Sequence, residues 1–336
     1  MSETATGVVE VTRGPWVESV HRVSAAVVDA EGRLRAWTGD PAKAVYVRSA
    51  AKPFQALPLV LDGAAERLGL TTEELALCCG SHSGEPRHVA LAESVLAKAG
   101  LDAEALACGP HPPFHRGSRR ALAEAGVEPG RVHNNCSGKH AGMMVLARAH
   151  GWEPRGYEQL GHPVQSRILS ELSRWVELPE DAVGVSVDGC GVVCFRLPLR
   201  NLALGYARLA RAARRDEPGG AVVRAMVAHP ELVAGSGRLC TEISRRTGGR
   251  VFAKVGAEGV YAVGVTGAEL GIALKVEDGS ARAIGPAILA ILRQLDLISE
   301  DDLGALHTHA FPNVSNTRGE VVGHLRAKLE LQIADA

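Results

Sequence analysis

"RVFAKVGAEGVYAVGVTGAELGIALKVEDGSARAIG", residues 250–285, decides the fold class of this chain of 336 residues. After a long helical middle the sequence here returns to strands, and Asp278-Gly279 is its strongest two-residue hairpin signal. The counterpart lies near the N-terminus. "VESVHRVSAAVVDAEGRLRAWTG", residues 17–39, reads as two strands joined by a turn at Asp29–Gly32. Between the two stretches, helical patterns run over Ala50–Leu68, Thr72–Cys78, His88–Ala99, Lys139–Ala149, Val164–Val176 and Leu202–Ala213, each bounded by Gly, Pro or a polar cap. A last helix over Pro286–Leu295 and a short strand near Glu320–Leu325 complete the chain. Strands at both ends around a helical middle predict an α+β fold: an antiparallel sheet built from the N- and C-terminal strands, with helices on its faces, and not a βαβ repeat. The expected organisation is a single domain over residues 1–336 with a helical subregion at about 65–185. No repeat of fixed period interrupts it, and "RAARRDEPGG", Arg211–Gly220, reads as an exposed loop.

Bulk properties narrow the function. A formal charge of −1 leaves no excess of either sign to steer nucleic acid or an anionic membrane, and an aromatic share of 4% argues against a base-stacking surface. No apolar run reaches the roughly 18 residues of a membrane span, and the acidic N-terminus is not that of a signal peptide. The expectation is a cytoplasmic protein acting on a small neutral or zwitterionic substrate. Seven cysteines, an odd number scattered along the chain, do not make a secreted disulfide framework.

Five stretches could carry chemistry. In "YVRSAAKPFQALPLV", residues 46–60, Ser49 at the N-cap puts Lys52 at the third helical position and Pro53 at the fourth, where a missing N–H costs little. Three residues apart on a helix, the Lys52 amine can reach the Ser49 hydroxyl and act as its base if burial lowers its pKa. The same residues also suit a plain helix start, with Ser49 as cap and Lys52 solvated. "CCGSHSGEP", residues 78–86, is a polar loop offering Ser81, Ser83 and Glu85 to a ligand, or a connection in which Ser83 or Glu85 caps the next helix. "HNNCSGKHAGMM", residues 133–144, enters a helix whose first N–H groups could hold a carboxylate or oxyanion; the glycine spacing excludes a Walker A loop. "SVDGCGVVCF", residues 186–195, brings Cys190, which with Cys136 is a thiolate candidate for zinc, though no CxxC pair or HExxH helix completes the usual set; Cys190 and Cys194 also suit buried apolar filler, as most free cysteines do. In "AKVGAEGVYAVG", residues 253–264, apolar neighbours suggest that Lys254 is tucked in. "GPHPPFHRGSRR", residues 109–120, reads as a surface loop.

Together, "RSAAKPFQALPL", "SHSGEP", "NNCSGKHAGM", "DGCGV" and "KVGAEGV" resemble, in content and order from Arg48 to Val260, the asparaginase family typified by the inducible, thermolabile enzyme of Rhizobium. The resemblance implies a fold similar to serine β-lactamases and serine-dependent glutaminases, and hydrolysis of L-asparagine to L-aspartate and ammonia. It implies Ser49 as nucleophile beside Lys52, and a second Ser–Lys pair from Ser81 and Lys254. Arg48, His140, Asp188 and Glu85 would surround the substrate, with Asp188 toward its ammonium. A zinc held by Cys136, Lys139 and Cys190, and a homodimer, are implied in the same way. One departure is Val192-Val193-Cys194 after the DGCG block, where that family leads us to expect a proline or a small polar residue. Three readings compete: a broader serine amidase or penicillin-recognising hydrolase, a zinc hydrolase that activates water directly, and a noncatalytic amino-acid sensor.

Overall fold

Apolar, largely β-branched strands come from both ends of the chain, and in the computed structural model, which describes residues 6–334, they pair with one another. The strands are β1 (Gly7–Arg13), β2 (Trp16–Asp29), β3 (Leu34–Thr38), β4 (Ala44–Tyr46), β5 (Gly184–Val187), β6 (Val193–Pro198), β7 (Val251–Val255), β8 (Val260–Val265), β9 (Leu270–Val276), β10 (Asn313–Ser315), β11 (Val321–Lys328) and β12 (Gln332–Ile333). The main sheet has the order β10-β11-β1-β2-β9-β8-β7, with β3 pairing β2 and β12. Its pairs are antiparallel, with Val8 opposite Lys328 and Ala26 opposite Ala273. The alternation of β2 is lost from Val23 onward and every residue of β8 is buried, so the sheet centre is covered on both faces. The helix Ile284–Gln294 packs on β1, β8 and β11. The fold is a mixture of helices and antiparallel sheet, as the sequence indicates.

The chain divides into two units. One takes in the chain up to Ala50, Leu197–Ala210 and the chain from Glu242 onward, and holds the main sheet; the other is Ala51–Arg196 with Arg211–Thr241. In the second unit the helix Ser137–His150 is buried from Ser137 to Ala147, Lys139 and His140 included, and packs on Lys52–Leu61, Thr72–Cys78 and Pro86–Lys98. Gly138 permits the approach: a Cβ there would stand 2.6 Å from Leu77 Cγ and 2.7 Å from the Leu77 carbonyl. No helix among the described residues is long and apolar enough to cross a membrane.

Several local expectations are corrected. Asp278-Gly279 is not a hairpin; it turns the chain out of β9 toward the Ala281–Ala283 turn and the Ile284–Gln294 helix, while Asp278 Oδ2 pairs with His21 Nδ1 at 2.6 Å. The dipeptide signals a tight turn, and the residues beyond it decide whether a hairpin forms. Strand β1 has no counterpart in the expected elements. The segment expected as a surface loop at 109–120 ends in a helix, Arg116–Glu124, capped by the His115 side chain on Ser118 N–H. The helix expected over Ala50–Leu68 breaks at Gly63, and it begins with a 3-10 turn, Arg48–Ala51, so that Ala51 is the N-cap, Lys52 the first helical residue and Pro53 the second. Pro53 is therefore still among the positions whose N–H has no acceptor.

Candidate active site

Two polar loops of the second unit converge on one buried amine. Lys52, wholly buried at the head of its helix, donates to the Gly80 carbonyl at 2.5 Å, to Ser81 Oγ at 3.0 Å and to the Asn135 carbonyl at 3.3 Å. All three acceptors are uncharged. Burial pushes the Lys52 amine below its ordinary value, and the neighbouring Lys139 adds to this against the pull of Cys136 and Cys190. The hydroxyl that meets Lys52 within this unit is that of Ser81, a pairing which the i, i+3 spacing alone did not indicate.

The two loops that supply those acceptors are tied together by His82. Its backbone N–H donates to the Asn135 carbonyl at 3.2 Å. Its ring is wholly buried; Nδ1 accepts from Gly84 N–H at 3.2 Å, so Nε2 carries the proton and donates to Ser137 Oγ at 2.9 Å. Burial holds this imidazole well below its usual range, hence neutral. His88 stacks on it at 5.0 Å between ring centroids and accepts the Glu85 N–H on Nδ1.

A second cluster adjoins the first. Cys136 opens the Ser137–His150 helix, Lys139 comes one turn later, and the tight turn Asp188–Gly191 between β5 and β6 delivers Cys190. The Lys139 amine donates to Cys190 Sγ at 3.1 Å. Cys136 is held well below its ordinary value by a hydrogen bond from Cys190, against burial and aided by both lysines, while the same bond and burial push Cys190 up. Burial would lower Lys139, but Cys190, Cys136 and Asp188 outweigh it and raise the amine. Among the described residues no group of three or more His, Cys, Asp or Glu side chains gathers as a metal site. Two thiols and an amine nevertheless converge in a buried place, and soft sulfur donors of this kind fit zinc.

His140, also wholly buried, adds an unused donor. Tyr157 OH accepts from Ala107 N–H and donates to His140 Nδ1 at 2.5 Å, leaving a proton on Nε2, which has no partner. Glu85 points elsewhere: its two carboxylate oxygens take the N–H and the hydroxyl of Ser236 at 2.8 and 3.0 Å. Asp188 accepts Gly189 N–H and stays half-exposed, and Cys194 is buried on β6.

Arg48, Ser49 and Lys254 belong to the first unit. Ser49 is half-buried on its 3-10 turn, and Arg48 before it has φ +49°, a left-handed conformation that costs a non-glycine residue energy and concentrates at functional sites. The Ala50 N–H, an obvious oxyanion donor, is already given to the Val47 carbonyl. Lys254 is wholly buried on β7, as its apolar neighbours indicate, and donates to the Val255 carbonyl at 2.9 Å. Reading the sequence did not single out His82, Asn135, Ser137 or the Val233–Arg238 segment. The glycines flanking Ser236 were the one available sign of the last.

A family model described as L-asparaginase II matches residues 9–327. Comparison with curated proteins finds no match. Among solved structures, Mglu in its native form is 14% identical over 84% of this chain and 66% of its own, with a TM-score of 0.48. Mglu in 4.3 M NaCl is 17% identical over 84% and 63%, with a TM-score of 0.38. The octameric penicillin-binding protein homologue from Pyrococcus abyssi is 14% identical over 82% of this chain and 73% of its own, with a TM-score of 0.41. The chain therefore spans just under two thirds of the length of the Mglu structures.

Proposed function

Since the chain belongs to the L-asparaginase II family, we propose that it is an amidohydrolase that converts L-asparagine to L-aspartate and ammonia. The observation that carries this reading is Lys52: a wholly buried amine that donates to two carbonyls and the Ser81 hydroxyl, and is held below its ordinary value by burial despite the pull of Cys136 and Cys190, is a lysine kept ready to take a proton.

In the proposed reaction Ser49 Oγ attacks the side-chain amide carbon while its proton passes to Lys52. The C–N bond then breaks as nitrogen receives a proton through Ser81 and Lys254, giving ammonia and an ester on Ser49. Water attacks the ester, the C–O bond to Ser49 breaks, and aspartate leaves. A second proton carrier has a chemical reason here, because an amide nitrogen must be protonated to depart. His140, with its free Nε2–H, and Arg48 and Asp188 would hold the substrate's charged groups; Glu85, committed to Ser236, would hold the loop in place instead. Cys136, Lys139 and Cys190 would hold zinc, which when bound supplies Lewis-acid polarisation and a clamp between the two loops. We further propose a cytoplasmic homodimer, in keeping with the family resemblance.

The test is ammonia release from L-asparagine and L-glutamine by the wild type and by Ser49→Ala, with circular dichroism on both. Turnover by the wild type that disappears in a folded Ser49→Ala is the expected outcome. Turnover that survives in Ser49→Ala but is lost on metal removal would favour zinc-activated water, the reading that the Cys136–Lys139–Cys190 cluster supports second.

A further inference from the structure

Segment Val233–Arg238 is strapped across the Ser81–Glu85 loop. Ser81 N–H donates to the Val233 carbonyl at 2.8 Å and Ser83 Oγ to the Ala234 carbonyl at 2.8 Å. Ser236 gives its N–H and its hydroxyl to the Glu85 carboxylate, and Thr241 Oγ1 donates to the Gly235 carbonyl at 2.7 Å. The crossing is too close for a side chain. Gly235 has φ +124°, and a Cβ there would stand 2.3 Å from Ser83 Oγ and 2.9 Å from Glu85 Oε1.

What the strap delivers is Arg238. Its Nη1 donates to the Ser81 carbonyl at 3.4 Å, and its guanidinium lies over the Phe114 ring, 5.6 Å from the centroid. No carboxylate among the described residues pairs with it. The acid on the loop that the strap crosses, Glu85, has both oxygens committed to Ser236. Burial would raise Glu85, but the Ser236 bonds win and hold it ionised without Arg238. A guanidinium has five N–H donors in a fork that matches a carboxylate. One of them is used here. The cation is thus half-buried, oriented by an aromatic face, short of an anion, and hydrogen-bonded to the residue whose hydroxyl meets Lys52.

We infer that Arg238 is a specificity-determining residue that receives the carboxylate of the substrate, and so favours amides that carry one over those that do not. The inference rests on the amidohydrolase reading for its reaction, but not for its binding step. Rigidity of the strap is part of it: a preformed fork loses little freedom when the anion arrives.

The experiment compares wild type, Arg238→Gln and Arg238→Lys, with melting curves to confirm folding. Ammonia release is followed with L-asparagine and with 3-aminopropanamide, which is asparagine with hydrogen in place of the carboxylate. L-Aspartate binding is measured by calorimetry on the same three proteins. Arg238→Gln is expected to weaken L-aspartate binding and to raise KM for L-asparagine by about 10- to 100-fold, the worth of a lost charged hydrogen-bonded contact. The carboxylate-free amide should be processed at a rate within about twofold of wild type, and Arg238→Lys should recover part of the loss. An equal loss on both amides, or unchanged L-aspartate affinity in Arg238→Gln, overturns the inference. A wild type that binds L-aspartate through Arg238 but releases no ammonia would overturn the amidohydrolase reading and leave the carboxylate site standing. A wild type that does neither overturns both.

Discussion

Lys52 and Lys139 are buried to nearly the same depth in the same unit, at 0% and 3% exposure, yet their ionisation is driven in opposite directions. Lys52 donates to two carbonyls and a hydroxyl, and the pull of Cys136 and Cys190 falls short of the cost of burial, so burial prevails and its pKa falls. Lys139 donates to Cys190 with Cys136 and Asp188 nearby, and these outweigh burial. Depth therefore does not decide whether a buried lysine is a base or a cation; the chemistry of its acceptors does. The two amines are also linked, since a positive charge at Lys139, whether its own proton or a bound zinc, helps to suppress the proton on Lys52.

The largest test of this contrast is Lys52→Met. A variant that folds should lose about 10²- to 10⁴-fold in kcat, the range of a general base, and should keep whatever metal the wild type binds. Cys136→Ser is the complement: metal content, measured by inductively coupled plasma mass spectrometry, should fall from about one zinc per chain to near none while Lys52 keeps its acceptors. If both substitutions remove metal and rate together, the two clusters are one, and the contrast fails. A gentler probe is pH. With its folded pKa lowered, Lys52 is neutral at pH values where the unfolded chain still binds a proton there. Its contribution to unfolding free energy should therefore rise with pH between the lowered value and about 10.4, and kcat/KM should rise in the same direction and level off before that limit. The smallest effect belongs to the scaffold: Gly138→Ala pushes a methyl against Leu77, and chemical denaturation should show a loss of about 1–3 kcal/mol.

How much could be read in the sequence depends on the range over which each signal acts. Turn chemistry at Asp29–Gly32, the helix patterns at Thr72–Cys78 and Val164–Val176, and the return to strands after Arg250 are local, and they indicated the mixed fold with antiparallel sheet. Asp278-Gly279 misled because its neighbours in space, His21 on β2 among them, decide where the chain goes next. The buried state of Lys254 was legible from Val251, Phe252, Val255 and Val260, all apolar and adjacent. His82 was not legible, since its meaning lies in Asn135 and Ser137, more than fifty residues away. Arg238 was hidden for the same reason: only the strap across Ser81–Glu85 distinguishes it from the many surface arginines of the chain.

The register of the main sheet has a consequence for how the protein is made. Val8 faces Lys328, so β1 waits on the ribosome for a partner that emerges 320 residues later, whereas the helices from Lys52 to Val176 find their neighbours within a much shorter length of chain. During synthesis the helical unit can gather first, while the edge of β1 that β11 covers stays unpaired and sticky until β11 has been made. A chain stalled or cut before β11 would keep most of the buried lysine chemistry in place and still be a chaperone's client, because one edge of β1 would have no strand to cover it.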